Sequence, residues 1–238
     1  MPGEDGQLEI TFVGTATVLI RHAGGALLTD PNFLHRGEHA YLGYGLQSRR
    51  LTEPALQIHD LPPLDLVVLS HHHGDHFDRR AAAGLPRDLT IVTEPHAART
   101  LRSQGFTSPV PLTTWQAWST PALGGTLTVT ATPARHAPPP VERLLPPVMG
   151  SILELDVPGR GSVRLYVTGD TLLFPGLAEV GRRFPDVDLC LIHLGGTRIA
   201  GLLLTMDDRQ GVEALRTVAP RRAIPIHYDD YTVFRSPL

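Results

Sequence analysis

Four histidines and two aspartates fall within nine residues: Ser70-His71-His72-His73-Gly74-Asp75-His76-Phe77-Asp78. Imidazole and carboxylate groups are common donors to divalent cations, and they are costly at the end of a buried strand unless something binds them. The stretch follows Leu66-Val67-Val68-Leu69, an apolar run of strand length. His71 and His73 are two residues apart and share a side where the backbone stays extended. Gly74 lets the chain turn, so Asp75 and His76 arrive from another direction at a helix start. The cluster can thus serve two neighbouring cations, His71 and His73 one, Asp75 and His76 the other. His72 is least constrained and is expected to point away. Four donors do not close two coordination shells, so further ligands must come from distant parts of the chain.

Three candidates stand where an apolar run ends: His136 in Pro133-Ala134-Arg135-His136, Asp170 in Thr168-Gly169-Asp170-Thr171, and His227 in Ile224-Pro225-Ile226-His227-Tyr228. Asp30, at another strand end before Pro31, is placed to orient a ligand histidine by accepting its second N–H. Asp229 and Asp230 either do likewise or are surface carboxylates. His193 is a strand-end histidine, either a substrate contact or proton donor in the site or a hydrogen-bonded support beside it. Cys190, the sole cysteine, lies in an apolar run and reads as a small buried hydrophobe, so a cysteine zinc site and an internal disulfide are excluded.

The elements that must position these residues follow from periodicity and punctuation. Strands are expected over 8–13, 17–21 and 26–30, the last two joined at Gly24-Gly25, then over 66–69, 90–93, 110–112, 117–118 and 123–130. A hairpin joins 151–157 to 163–168 through Pro158-Gly159-Arg160-Gly161, and strands recur over 187–192 and 222–226. Helices are expected over 77–83, 96–104, 175–184 and 205–218, the last capped by Thr205 with Val212, Leu215 and Val218 on its apolar face. Residues 32–63 read as irregular, a binding loop or mobile stretch, and their His35, His39 and His59 lack ligand-spaced neighbours. Strands precede strand–helix units in both halves. Two such sheets packed together, each with helices on its outer face, predict a four-layer αββα sandwich in one domain over 1–238.

The His-x-His-x-Asp-His pattern at 71–76, followed in order by His136, Asp170 and His227, resembles the metallo-β-lactamase-fold hydrolase superfamily. The resemblance runs from Phe12-Val13-Gly14-Thr15 to His227. It implies that His71, His73 and His136 hold one metal, that Asp75, His76 and His227 hold the other, and that Asp170 bridges them. Leu28-Thr29-Asp30-Pro31, Arg143, Thr205-Met206-Asp207 and Pro225-Ile226-His227-Tyr228 are similar to the branch containing ascorbate-6-phosphate lactonase and N-acyl-phosphatidylethanolamine phospholipase D. The expected cofactors are two divalent ions, zinc first, with manganese or iron also suited to a His/Asp site. Such a pair shares a hydroxide that attacks a carbonyl carbon or phosphorus, and Asp75 can take its proton. Arg143 is either a contact for a substrate anion or a solvated loop arginine.

The expected function is hydrolysis of a small ester-like substrate, lactone or phosphodiester. A nuclease on the same centre and a non-catalytic metal sensor are the alternatives. A net charge of −3, without a basic stripe, argues against nucleic acid as partner. All 21 basic residues are arginine, which excludes Schiff-base lysine chemistry and a phosphate loop ending in Gly-Lys. An oxygen-reducing di-iron enzyme is disfavoured, since that resemblance would place a glutamate at His73. No apolar run is long enough to span a bilayer, and the opening Met1-Pro2-Gly3-Glu4-Asp5 is polar, so no membrane insertion and a cytoplasmic location are expected.

Overall fold

The computed structural model describes residues 6–235, so the acidic opening at 1–5 lies outside the described residues. The chain starts with a meander of β1 (Glu9–Gly14), β2 (Thr17–His22) and β3 (Gly25–Thr29). A small hairpin, β4 (His39–Gly43) and β5 (Leu46–Arg49), follows. Then come β6 (Leu66–Val68), α1 (Arg79–Gly84), β7 (Ile91–Thr93), α2 (Pro95–Ser103) and β8 (Pro109–Pro111). The first sheet has the order β1-β2-β3-β6-β7-β8, and its pairings are parallel from β3 onward.

The second half repeats that plan. β9 (Ala117–Ala122), β10 (Gly125–Pro133), β11 (Met149–Val157) and β12 (Gly161–Val167) form an antiparallel meander. α3 (Gly176–Arg183) leads to β13 (Leu189–His193), then a two-stranded ribbon of β14 (Arg198–Ile199) and β15 (Leu202–Leu203). α4 (Asp208–Val218) and β16 (Ala223–Ile226) complete it. β13 pairs in parallel with β12 and with β16, giving the order β16-β13-β12-β11-β10-β9.

Side-chain alternation along the strands creates four layers. Val18, Ile20, Leu27 and Val68 of the first sheet meet Leu127, Val129, Leu153 and Leu165 of the second in one central core. Their sequence neighbours Leu19, Leu28 and Val67 face the other way, onto Ala81 of α1 and Ala97 and Leu101 of α2. On the far side Ile152, Tyr166, Cys190 and Ile192 pack on Leu177 and Val180 of α3 and Ala214 and Val218 of α4. The αββα sandwich expected from the sequence is the observed architecture. No described helix is long and apolar enough to cross a membrane.

Several boundaries differ from expectation for local reasons. α1 starts at Arg79 because the Asp78 carboxylate accepts the Ala81 N–H at 2.8 Å, making Asp78 the cap. α4 is capped by Asp207, which accepts from Gln210 N, while Thr205 accepts the Thr197 N–H instead. Its buried face is Gly211, Ala214 and Val218, and Val212 is 50% exposed. Gly211 brings the helix onto Leu194, whose Cδ2 would lie 2.4 Å from any added Cβ. The strand expected over 123–130 is displaced because Leu123 and Gly124, both at positive φ, form the β9–β10 turn. Residues 32–63 are not wholly irregular. Tyr44-Gly45, both with positive φ, closes the β4–β5 hairpin.

Candidate metal centre

The two sheets deliver their polar residues to one end of the sandwich. β3 leads to Asp30, β6 leads into Ser70–Asp78, β12 leads to Asp170, β13 ends at His193 and β16 leads to His227. Ligand sites in parallel sheets form beyond the carboxyl ends of strands, where neighbouring connections diverge. His136 follows β10 from the antiparallel part of the second sheet.

All seven residues expected to bind metal are buried, and they come together. One triad is His71, His73 and His136; a second is Asp75, His76 and His227; a third is His71, His76 and Asp170. Within each, one donor atom per residue lies within 4.8 Å of the others. Asp170 stands between the first two triads: its Oδ2 is 3.4 Å from His76 Nε2 and 3.9 Å from His136 Nε2. Its Oδ1 is 3.3 Å from His227 Nδ1, and His227 Nε2 is 3.5 Å from Asp75 Oδ2. His71 Nε2 and His73 Nδ1 face each other at 3.0 Å. His35, His39 and His59 belong to none of these groups among the described residues.

The electrostatics are those of a desolvated donor set. Burial pushes His71 well below the ordinary imidazole value, with the nearby His76 and His73 adding to the effect. His73 is lowered to about 4, chiefly by burial. His136 is also lowered by burial, against the attraction of Asp170. His76 goes the other way: burial opposes its charged form, but the carboxylates of Asp170 and Asp75 outweigh it and raise the imidazole well above its usual value. Burial of Asp170 opposes its ionisation, yet His227 and His76 hold it well below the carboxylate range. Burial of Cys190 pushes its thiol up, as fits an inert core residue.

Buried nitrogen or oxygen atoms of His73, Asp75, His76, Asp170 and His227 have no hydrogen-bond partner. Orphaned polar atoms in a protein interior are individually costly and rare. Their concentration at one spot, all from residue types that ligate metals, fits bound cations. The supports are equally specific. His136 Nδ1 faces the Leu204 carbonyl at 3.1 Å; a carbonyl only accepts, so Nε2 is left bare towards Asp170. His227 has φ +60, an unfavourable backbone held by its N–H donating to Thr15 O at 2.7 Å.

Asp30 is buried under the site, 3.4 Å from His76 Nδ1, as an orienting carboxylate should be. Burial opposes its ionisation, but the imidazoles of His193 and His76 hold it down to about 2. His193 is fully buried beside it, with Nε2 3.8 Å from Asp30 Oδ2 and Nδ1 3.1 Å from Thr168 Oγ1, which places it among the supports. Asp230 is buried and accepts the Thr15 N–H and the Thr52 hydroxyl, so it braces the backbone beside the site rather than orienting a ligand histidine. Sequence reasoning missed Ser70. Its hydroxyl lies 3.0 Å from His71 Nδ1 and 3.2 Å from His76 Nδ1, and its place at the head of the histidine cluster was the available signal.

A cavity of 1490 Å³ opens over the first triad, with His73 and His136 in its wall. Tyr41, Phe77, Leu144, Leu145 and Pro146 give it an apolar lining, and Arg143 borders it. His72 points away from the triads, as expected, with Nε2 3.4 Å from Gln104 Oε1, but it too lines this cavity.

Comparison with known proteins agrees with this geometry. A family model described as the beta-lactamase superfamily domain matches residues 27–228. A UPF0173 metal-dependent hydrolase from Carboxydothermus hydrogenoformans is 30% identical over 231 residues, covering 95% of this chain and 87% of that protein. A second, from Thermus thermophilus, is 26% identical over 236 residues, covering 96% and 87%. Among solved structures, an isothiocyanate hydrolase from Delia radicum gut bacteria superposes with a TM-score of 0.78 at 21% identity, over 96% of this chain and 88% of that one, which speaks to the fold alone. The family model spans most of the chain and the 30% identical relative nearly all of it, so the chain belongs to the beta-lactamase superfamily, among its metal-dependent hydrolases.

Proposed function

We propose that the chain is a dinuclear metal-dependent hydrolase of a small ester-like substrate, a lactone or phosphodiester. The observation that carries this reading is the set of orphaned buried donor atoms on His73, Asp75, His76, Asp170 and His227, beside a cavity whose wall includes His73 and His136. His71, His73 and His136 would hold one ion, Asp75, His76 and His227 the other, and Asp170 both. Zinc suits this donor set best, with manganese and iron as competitors. Bound there, such ions supply Lewis acidity and a water acidic enough to be a nucleophile near neutral pH.

The chain's own residues do the rest. The apolar cavity wall excludes water from the reacting centre, which strengthens every charge–charge contact inside. Asp75 has a buried oxygen without a hydrogen-bond partner, and it accepts the proton released as the substrate is attacked. Arg143 at the rim orients an anionic oxygen of the substrate. The apolar lining favours a substrate with a hydrophobic body attached to the ester group.

The test uses the full chain on a generic aryl lactone and an aryl phosphodiester. Chelation should abolish turnover, and zinc, manganese or iron should restore it. Asp170→Asn and His227→Ala should each lower kcat/KM by more than about 100-fold, beyond what a change outside the ligand set costs. Turnover indifferent to chelator or to both substitutions would refute the assignment. Salt-dependent cleavage of RNA with no lactone or phosphodiester turnover would instead favour a nuclease.

A further inference from the structure

Resting on that two-metal reading, we infer that His193 is a positioning residue for the metal centre: it holds Asp30, and Asp30 in turn fixes the ring of His76. Ser70 Oγ lies 2.8 Å from Asp30 Oδ1, and the Ser70 N–H also donates to that oxygen at 2.8 Å. A carboxylate only accepts, so the hydroxyl proton of Ser70 points at Asp30. The lone pairs of Ser70 Oγ then face the Nδ1 atoms of His71 and His76, each of which must donate. This leaves Nε2 bare on one histidine of each triad, as metal binding requires. Asp30 thus governs the tautomers of two ligands while binding nothing itself.

The other oxygen of Asp30 has no hydrogen-bond partner, and neither does His193 Nε2. Both side chains are fully buried, and the two atoms face each other at 3.8 Å. The opposite edge of His193 lies against Thr168, with Nδ1 3.1 Å from Oγ1, and the His193 backbone N–H also donates to Oγ1. Were Nδ1 the donor to Thr168, a neutral ring would turn a bare Nε2 towards a bare carboxylate oxygen, lone pair against charge. The Thr168 hydroxyl has two acceptors in reach, Gly169 O at 3.0 Å and His193 Nδ1 at 3.1 Å; the favourable arrangement turns it to Nδ1 and aims Nε2–H at Asp30. The His193 ring also stacks on His76, with centroids 5.9 Å apart and planes 8° apart. Asp30, His76 and His193 have donor atoms within 4.8 Å of one another, the spacing of a fourth such triad. Ser70 already occupies Asp30 Oδ1 and lies against His76 Nδ1, so this set is wired for hydrogen bonds.

The experiment compares wild type, His193→Gln and His193→Leu by metal count and chelator-competition titration. Gln can place an amide N–H where His193 Nε2 stands; Leu cannot. Wild type should hold two equivalents, His193→Gln should bind both within about threefold of wild type, and His193→Leu should lose about 10–100-fold at the Asp75/His76/His227 position. A long-range 1H–15N spectrum of the zinc-loaded wild type should show His193 as the Nε2–H tautomer, a readout that survives if the Leu variant does not fold. Equal behaviour of the Gln and Leu variants, or an Nδ1–H tautomer at His193, would overturn the inference while leaving the two-metal centre intact. A third equivalent in wild type that both variants lose would overturn it in favour of a ligand role. Wild type binding no metal would overturn the two-metal reading and the inference with it.

Discussion

Asp170 and His76 carry the electrical balance of the site. Asp170 reaches both triads, and together with Asp75 it raises the imidazole of His76, whereas burial lowers His71, His73 and His136. The signs differ, so the two positions should respond differently to pH. A raised histidine carries its proton through neutrality, and a metal must displace it. Affinity at Asp75/His76/His227 should therefore fall about tenfold per pH unit below the His76 pKa. Burial lowers all three imidazoles of the first triad, which should therefore hold its affinity to lower pH than the second position does. Calorimetric titrations in buffers of different ionisation enthalpy at pH 7 would count the protons: more should be released on filling the second position than on filling the first. Equal proton release at both would contradict this account.

Among the elements, the segments that flank the site are tied to one buried arginine. Arg50 follows β5 and is 0% exposed. Its Nη1 donates to the Asn32 carbonyl at 3.2 Å and to the Asn32 side-chain oxygen, and its guanidinium lies 5.7 Å from the Tyr231 ring centroid. Asn32 also accepts from Tyr231 Oη at 3.0 Å and donates to Gly74 O at 2.9 Å, directly at the turn of the histidine cluster. Gly74 needs to be glycine because the Tyr41 backbone crosses it: an added Cβ would lie 2.7 Å from Tyr41 N and O. The hairpin that walls the cavity and the turn that carries Asp75 thus share one polar node. Removing the acceptor while leaving the charge buried is the expensive change. Asn32→Ala should cost about 3 kcal/mol in urea unfolding of the metal-free protein. A loss under about 0.5 kcal/mol, the range of ordinary surface changes, would mean the node carries little of the fold.

At the scale of the molecule, the triads join the two sheets. His71, His73, Asp75 and His76 come from the first sheet, and His136, Asp170 and His227 from the second. A cation bound by both would cross-link them, so loading should stabilise the whole sandwich. Free metal at about 100 times its dissociation constant adds about 2.7 kcal/mol per site, worth roughly 5–11 °C in Tm for a chain of this size. Thermal melts with zinc and with chelator would measure it. A Tm indifferent to chelator would mean that no cation links the sheets.

What could be read in the chain alone follows from how each kind of information is encoded. Strands 8–13 and 151–157 declare themselves because alternation is local, and the histidine cluster because ligand chemistry depends on residue type. Order along the chain then singled out His136, Asp170 and His227 at the ends of apolar runs. The errors are where a distant contact overrides a local pattern. Asp78 and Asp207 cap their helices in place of the expected starts, and Gly211 rotates α4 so that Val212 faces solvent. Ser70, Thr168 and Arg50 carry no signature because a serine, threonine or arginine gains its role only from partners far along the chain. Asp30 and His193 are 163 positions apart in sequence and 3.8 Å apart in space. Residue type and period thus establish the donor inventory and the layered sheets. Which nitrogen each imidazole presents, and what holds it there, depends on hydrogen bonds that exist only once the strand ends have met.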